Sequence, residues 1–230
     1  MKKTLTVSSI LLIILIWGCT HEAPVPDPGT GDPSDPGIPS PTAICFEADV
    51  LPIFQSYCAK SGCHDATTHK EGYVLDSYTN IMKKGVVPGN AVNSTLYKVL
   101  FASGEERMPP VGQAQMTDAQ KSTIGIWINQ GAKNTTNCGA VCDVNAFAYN
   151  ANIKPILNTH CVGCHGSVNP SKGIDLSSYS GARAAALNGS LYGSVAHAQG
   201  FVAMPQGAAK LSDCKVTVIQ KWAAAGAPNN

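Results

Sequence analysis

The part of this chain that follows residue 42 contains one sequence pattern twice. Five blocks of the first copy recur in the second copy in the same order. The last block, MTDAQKSTIGIWINQGA, aligns with LSDCKVTVIQKWAAAGA without a gap. Matched blocks in a fixed order indicate a duplicated structural unit. The sequence therefore predicts two tandem domains, residues 43–138 and 139–230.

Both copies have the sequence pattern of α-helices that are joined by long loops. Pro52 and Pro155 fall where a short helix would begin, and proline is favoured in the first helical turn. Each final block has an N-cap candidate, Thr117 or Ser212, followed by apolar residues at the spacing of one helical face. No sustained alternation typical of a strand appears. We therefore predict an all-α fold.

The first 18 residues have the pattern of a secretory signal peptide. Two lysines precede a short apolar run, LLIILIW, which ends at Gly18 and Cys19. The segment IWGC resembles a bacterial lipobox, in which the cysteine is lipidated and becomes the new first residue. We therefore predict a lipid anchor on Cys19, with an uncleaved amino-terminal anchor as the alternative.

Residues 19–42 have the composition of a tether. They hold seven of the fifteen prolines and four acidic residues, without lysine or arginine. Such a segment cannot bury a core, and its prolines favour extended conformations. We therefore expect an exported lipoprotein that is anchored to a membrane and faces the periplasm or the cell exterior.

The second copy contains the motif CVGCH at residues 161–165, which is typical of c-type haem attachment. In such a site each thiol forms a thioether with a haem vinyl group, and the adjacent histidine binds iron. The alternatives are a thioredoxin-like redox pair, whose βαβ context is lacking, or half of a zinc site. The first copy has the wider motif CAKSGCH at residues 58–64, for which haem and a Cys58–Cys63 disulfide are both considered.

Both copies also offer a second axial ligand for iron. Met108 and Met204 each precede a proline at a comparable distance after the cysteine motif, and methionine opposite histidine is the ligand set of cytochromes c. Met116 is better explained as a core residue, because the matching residue is Leu211. Two unmatched histidines are predicted to be solvated, with either one an alternative ligand in one domain: His69 and His197.

These motifs resemble a known family. CVGCH, the later Met-Pro pair and the closing W-x-x-x-G-A helix look like the class I cytochrome c fold, and VVPGNAVNSTLY, RMPP and WINQGA are similar to cytochrome c-like domains of exported bacterial lipoproteins. Tandem copies occur in that family. The resemblance implies two haem c groups, one per domain, held by Cys161, Cys164, His165 and Met204 and, by position, by Cys58, Cys63, His64 and Met108.

The remaining cysteines suggest two disulfides. With Cys19 assigned to lipid and four residues to haem, four of the nine cysteines are left over. An even remainder in an oxidising compartment suggests disulfide pairing, and three pairings are possible. We favour Cys45 with Cys138 and Cys142 with Cys214, and a Cys138–Cys142 bond stays open as an alternative.

The predicted function is that of a dihaem cytochrome that carries single electrons between redox proteins of the cell envelope. We expect an electron carrier rather than an enzyme, with no small-molecule substrate. Residues 43–138 balance eight acids against eight bases, and residues 139–230 carry a charge of +3, so nothing suggests nucleic acid. The alternatives are a dihaem peroxidase-like enzyme and a monohaem cytochrome whose first domain is disulfide-bonded.

Overall fold

The secondary structure of the described part of the chain is helical. A computed structural model describes residues 43–138 and 142–230, and within these ranges it contains helices and no strand. The all-α prediction is confirmed. Across the same ranges, no helix has both the length and the apolar character that crossing a membrane would require. The predicted signal peptide, the tether and Cys19 lie outside the described residues.

The first half contains short helices and one long helix. A π-helical turn, Phe46–Val50, leads directly into the first α-helix, and two 3₁₀ turns lie at Lys70–Gly72 and Gly104–Glu106. The α-helices are α1, Leu51–Tyr57; α2, Tyr78–Ile81; α3, Thr95–Lys98; and α4, Asp118–Asn129.

The second half follows a similar order. A π-helical turn, Tyr149–Ile153, precedes its first α-helix, and a 3₁₀ turn lies at Ser171–Gly173. The α-helices are α5, Lys154–His160; α6, Tyr179–Leu187; α7, Ser190–Val195; and α8, Asp213–Ala224.

The starts of these helices agree with the sequence signals. Pro52 and Pro155 lie in the first turns of α1 and α5, where a missing N–H costs no helical hydrogen bond. The Thr117 side chain caps α4 by accepting from the backbone of Gln120, whose own side chain completes a capping box. Ser212 caps α8 in the same position without the box. The predicted helix starts are confirmed.

Buried side chains form two clusters, one in each half. Trp127 of α4 packs against Phe46 with ring centroids 5.2 Å apart, and Trp222 of α8 stacks on Tyr149 at 5.5 Å. Each buried indole N–H needs an acceptor, and each donates to the backbone carbonyl six residues further on: Lys133 and Pro228. The long last helix of each half is thereby fixed against the turn that begins that half.

Each half begins with a cysteine that forms a disulfide. Cys45 is bonded to Cys138, with Cα atoms 5.9 Å apart, and Cys142 is bonded to Cys214. This is the pairing that the sequence favoured. The four motif cysteines are free thiols: Cys58, Cys63, Cys161 and Cys164.

The halves meet where α1 packs against α5. The Tyr57 hydroxyl at the end of α1 donates to the carbonyl of Asn158 in α5 at 3.0 Å. Gln120 of α4 donates its side-chain amide to the same carbonyl, also at 3.0 Å. Because a cysteine motif follows each of these two helices directly, the interface brings the two motifs close together.

Candidate haem site

The CAKSGCH loop begins at the end of α1. Cys58 caps that helix, and the backbone N–H of His64 donates to the Cys58 carbonyl at 3.2 Å, so the loop turns back on itself. Gly62 has a φ of +82°, which only glycine adopts without strain. The Asp65 carboxylate accepts the backbone N–H groups of Gly62, Thr67 and Thr68, and these bonds lower the pKa of Asp65. The two extra residues are thus accommodated in an ordered loop.

The imidazole of His64 is oriented by a backbone carbonyl. Its Nδ1 lies 3.2 Å from the carbonyl oxygen of Lys70. Since a carbonyl only accepts, Nδ1 must carry the hydrogen, and Nε2 keeps the lone pair that a metal ion needs. This is the tautomer in which a histidine binds iron through Nε2.

A cavity of about 320 Å³ lies beside this loop. Its volume falls within the range of roughly 300–1,000 Å³ that is common for ligand pockets. The four residues assigned to this half, namely Cys58, Cys63, His64 and Met108, all contribute to its wall. The rest of the wall is largely apolar and includes Phe54, Leu75, Leu96, Val99 and Leu100. Two thiols that could bond to vinyl groups, with an imidazole and a thioether that could bind iron, surround an apolar cavity, and this set of groups fits haem c.

The CVGCH motif of the second half forms a tighter turn at the end of α5. The backbone N–H groups of Cys164 and His165 both donate to the Cys161 carbonyl, at 3.1 and 2.8 Å. The Nδ1 of His165 lies 3.2 Å from the carbonyl of Ile174, so Nε2 is again the nitrogen left for a metal. The structure therefore brings the two cysteines and the histidine of this half together in one turn.

Each predicted methionine ligand lies on a loop that is tied to a preceding helix or helix end. The backbone N–H of Met108 donates to the carbonyl of Val99 at 2.8 Å, and that of Met204 donates to Ser194 at 3.1 Å. His197, exposed as predicted, places Nε2 3.1 Å from the Met204 carbonyl. The exposure predicted for His69 and the core position predicted for Met116 are also confirmed.

Three of the four motif thiols have a raised pKa. Burial raises the pKa of Cys58 and of Cys161 to about 12, and it also raises the pKa of Cys164. Reactive cysteines in redox pairs have a lowered pKa, since the thiolate is the nucleophile. Among the described residues, no three or more His, Cys, Asp or Glu side chains are grouped to hold a metal ion. The raised pKa of these thiols counts against the thioredoxin-like alternative.

Sequence reasoning missed a direct contact between the two motifs. Gly163, which lies between Cys161 and Cys164, donates its N–H to the Ser56 hydroxyl at 3.2 Å. Its carbonyl accepts a hydrogen bond from the Lys60 ammonium at 2.8 Å. The lysine within the extra length of CAKSGCH was the one sequence feature related to this contact. No local sequence pattern indicates a contact between residues more than one hundred positions apart.

A second cavity, of about 600 Å³, lies between the halves. Its wall includes Asp49, Gln120, His160 and Lys215. The Lys215 ammonium lies 3.0 Å from Nε2 of His160 and donates to it. Burial, aided by this cation, lowers the pKa of His160 to about 3, so its imidazole is neutral.

One comparison with known proteins bears on the first site. Residues 61–112 match the model of a family described as Planctomycete cytochrome C. The matched segment contains Cys63, His64 and Met108, and it supports a cytochrome c-like domain with haem-based electron transfer. No curated protein and no solved structure matches the chain significantly.

Proposed function

We propose that the protein is a dihaem c-type cytochrome that passes single electrons between redox proteins of the cell envelope. One observation carries the proposal: both cysteines, the histidine and the methionine assigned to the first half line one apolar cavity. When bound there, haem c supplies an iron that exchanges one electron at a time.

The ligands in that cavity favour an electron carrier over an enzyme. The Lys70 carbonyl fixes the His64 ring so that Nε2 is the metal-binding atom. Met108, on another segment of the chain that lines the same cavity, would supply a sulfur ligand. With both of these side chains bound to it, the iron would have no position left for a substrate. The peroxidase-like alternative requires one iron with an open position.

Similar local contacts in the second half support a second haem. The backbone N–H of Leu75 donates to the His64 carbonyl at 2.9 Å, and that of Leu176 donates to the His165 carbonyl at 2.7 Å. Tyr78 and Tyr179, at the starts of α2 and α6, likewise donate to the carbonyls of Ala132 and Ala227. Such pairs of contacts, together with the repeated blocks, support two tandem domains with one haem each.

The proposed place of action is a membrane surface that faces the periplasm or the cell exterior, with the chain anchored through lipid on Cys19. Two disulfides suit an oxidising compartment, where c-type haem attachment also takes place. The proposed partners are other redox proteins of the envelope, and the charge of +3 on residues 139–230 would favour an acidic docking surface on one of them.

The test counts covalent haems by intact mass and by the pyridine haemochrome spectrum. It uses full-length protein made in a host whose attachment machinery accepts both motif spacings. We expect two haems, falling to one when Cys58 and Cys63 are both changed to Ala. The matched control changes Cys161 and Cys164 to Ala and should also leave one. A single haem in the unaltered protein would establish the monohaem alternative, and none would refute the proposal.

A further inference from the structure

The glycine of the second motif is held on both sides by the first half. The N–H of Gly163 donates a hydrogen bond to the Ser56 hydroxyl at 3.2 Å, and its carbonyl accepts one from the Lys60 ammonium at 2.8 Å. We call these three residues the motif clamp. Gly163 is buried, and a Cβ added to it would overlap the backbone oxygen of Ser56. The close approach of these two segments of the chain therefore requires glycine at this position.

Lys60 of the clamp comes from the extra length of the first motif. Its ammonium also bonds to the side-chain oxygen of Gln113 at 3.0 Å, and Gln113 belongs to the wall of the 320 Å³ cavity. One lysine thus connects that cavity wall with the backbone of the other motif. The thiol of Cys164 adds a weak contact, 3.7 Å from the Ser56 carbonyl.

These contacts link parts of the chain that both have haem-attachment roles under the proposed function. Ser56 lies two residues before Cys58, and Gly163 lies between the two attachment cysteines of the second half. A hydrogen bond to a charged group stabilises more strongly than a neutral one, so the Lys60 bond is expected to be the stronger of the two.

We propose that Ser56, Lys60 and Gly163 hold the two attachment motifs in direct contact, and that the wider C-x₄-C spacing serves this docking. The proposal rests on the proposed function for its redox consequence: two redox centres attached at touching motifs respond to each other's state. Charges at short range interact strongly when little water separates them. The two halves then act as one coupled unit rather than as two independent carriers.

The first experiment tests the clamp without relying on haem. Amide hydrogen exchange at Gly163 is compared between unmodified protein and the Lys60→Met and Ser56→Ala variants. We expect faster exchange in both variants, with Lys172→Met, an exposed lysine outside the clamp, as the matched control. Exchange that is equally slow in all four proteins would overturn the clamp itself.

The second experiment tests the coupling. Deleting Ala59 and Lys60 converts the motif to C-x-x-C-H spacing while removing the clamp lysine, and intact mass checks that both haems stay attached. Two haems in close contact give a split circular dichroism signal in the Soret band. We expect this signal in the unmodified protein and its loss in the deletion variant and in Lys60→Met.

The outcomes of the two experiments are separable. A split signal that persists in both loosened variants would overturn the docking role of the wider spacing. A haem count below two in the unmodified protein would defeat the proposed function and with it the redox coupling, while the exchange result would still decide whether the clamp exists.

Discussion

The Nζ atom of Lys215 lies 3.0 Å from Nε2 of His160, and this contact joins the last helix of the second half to the end of α5. The pair borders the cavity between the halves, whose wall also includes Asp49. Burial lowers the pKa of Lys215, while Asp49 acts in the opposite direction. A neutral imidazole that accepts from an ammonium is the arrangement that these surroundings favour.

This arrangement predicts a loss of stability in acid. The pKa of His160 is about 3 in the folded protein and 6.5 in its ordinary state, so the unfolded chain binds the extra proton first as pH falls. The free energy of unfolding should therefore fall as pH decreases from about 6.5 towards 3. Urea unfolding at several pH values measures it. His160→Gln should weaken this dependence and His69→Gln, an exposed control, should not; equal slopes would refute the assignment.

Removing one methionine ligand should open one iron to gas. Under the proposed function, Met108→Ala would leave His64 as the only protein ligand of the iron in the first half, so the reduced variant should bind carbon monoxide with a shift of its Soret band. The unmodified protein should bind it poorly. Met116→Leu is the matched control, because Met116 is a buried core residue and Leu211 takes its place in the second half. Ready binding by the unmodified protein would favour the peroxidase-like alternative.

Loss of the cysteine that is proposed to carry lipid should release the protein from the membrane. Cys19→Ser removes the only atom to which the proposed lipid is attached, while the tether and both halves are unchanged. Fractionation of membranes from soluble extract measures the effect. If the variant stays in the membrane fraction as fully as the parent, a retained hydrophobic segment is the anchor.

Each disulfide should contribute substantially to stability. The Cys45–Cys138 bond closes a separation of 93 residues and Cys142–Cys214 one of 72. Changing either pair to Ser should lower the free energy of unfolding by about 2–4 kcal/mol, and by chain entropy the two losses should differ by only about 0.2 kcal/mol. Urea unfolding of both double variants, with and without reducing agent, provides the comparison. A negligible loss for one pair would mean that its half is stabilised by packing and cofactor alone.

The features that the sequence predicted well are those with local causes. A proline in a first turn, a threonine with a glutamine three residues later, and apolar residues on one helical face each act within a few residues, and α1 and α4 begin as predicted. The repeat added long-range information, because Leu211 in the place of Met116 separated a core residue from the ligand candidates.

The contacts between the halves could not be predicted in this way. The bond from Lys60 to Gly163 joins residues 103 positions apart, and the bond from Tyr57 to Asn158 joins residues 101 positions apart. Such contacts depend on how α1 and α5 pack, which no periodicity in either helix specifies. Within the motif, the sequence identified the cysteines and the histidine. It could not identify the backbone carbonyls that orient the imidazoles, because every residue has a backbone carbonyl.

The bond between Cys45 and Cys138 places the two ends of the first half side by side, with their Cα atoms 5.9 Å apart. The helices α1 to α4 could therefore keep the same arrangement in space if they followed one another in a different order along the chain. A short peptide across that gap, with new ends in an exposed loop, would give a circular permutant with the same cavity wall. Because the chain enters and leaves such a unit at nearly the same place, copies of the unit can also be joined end to end.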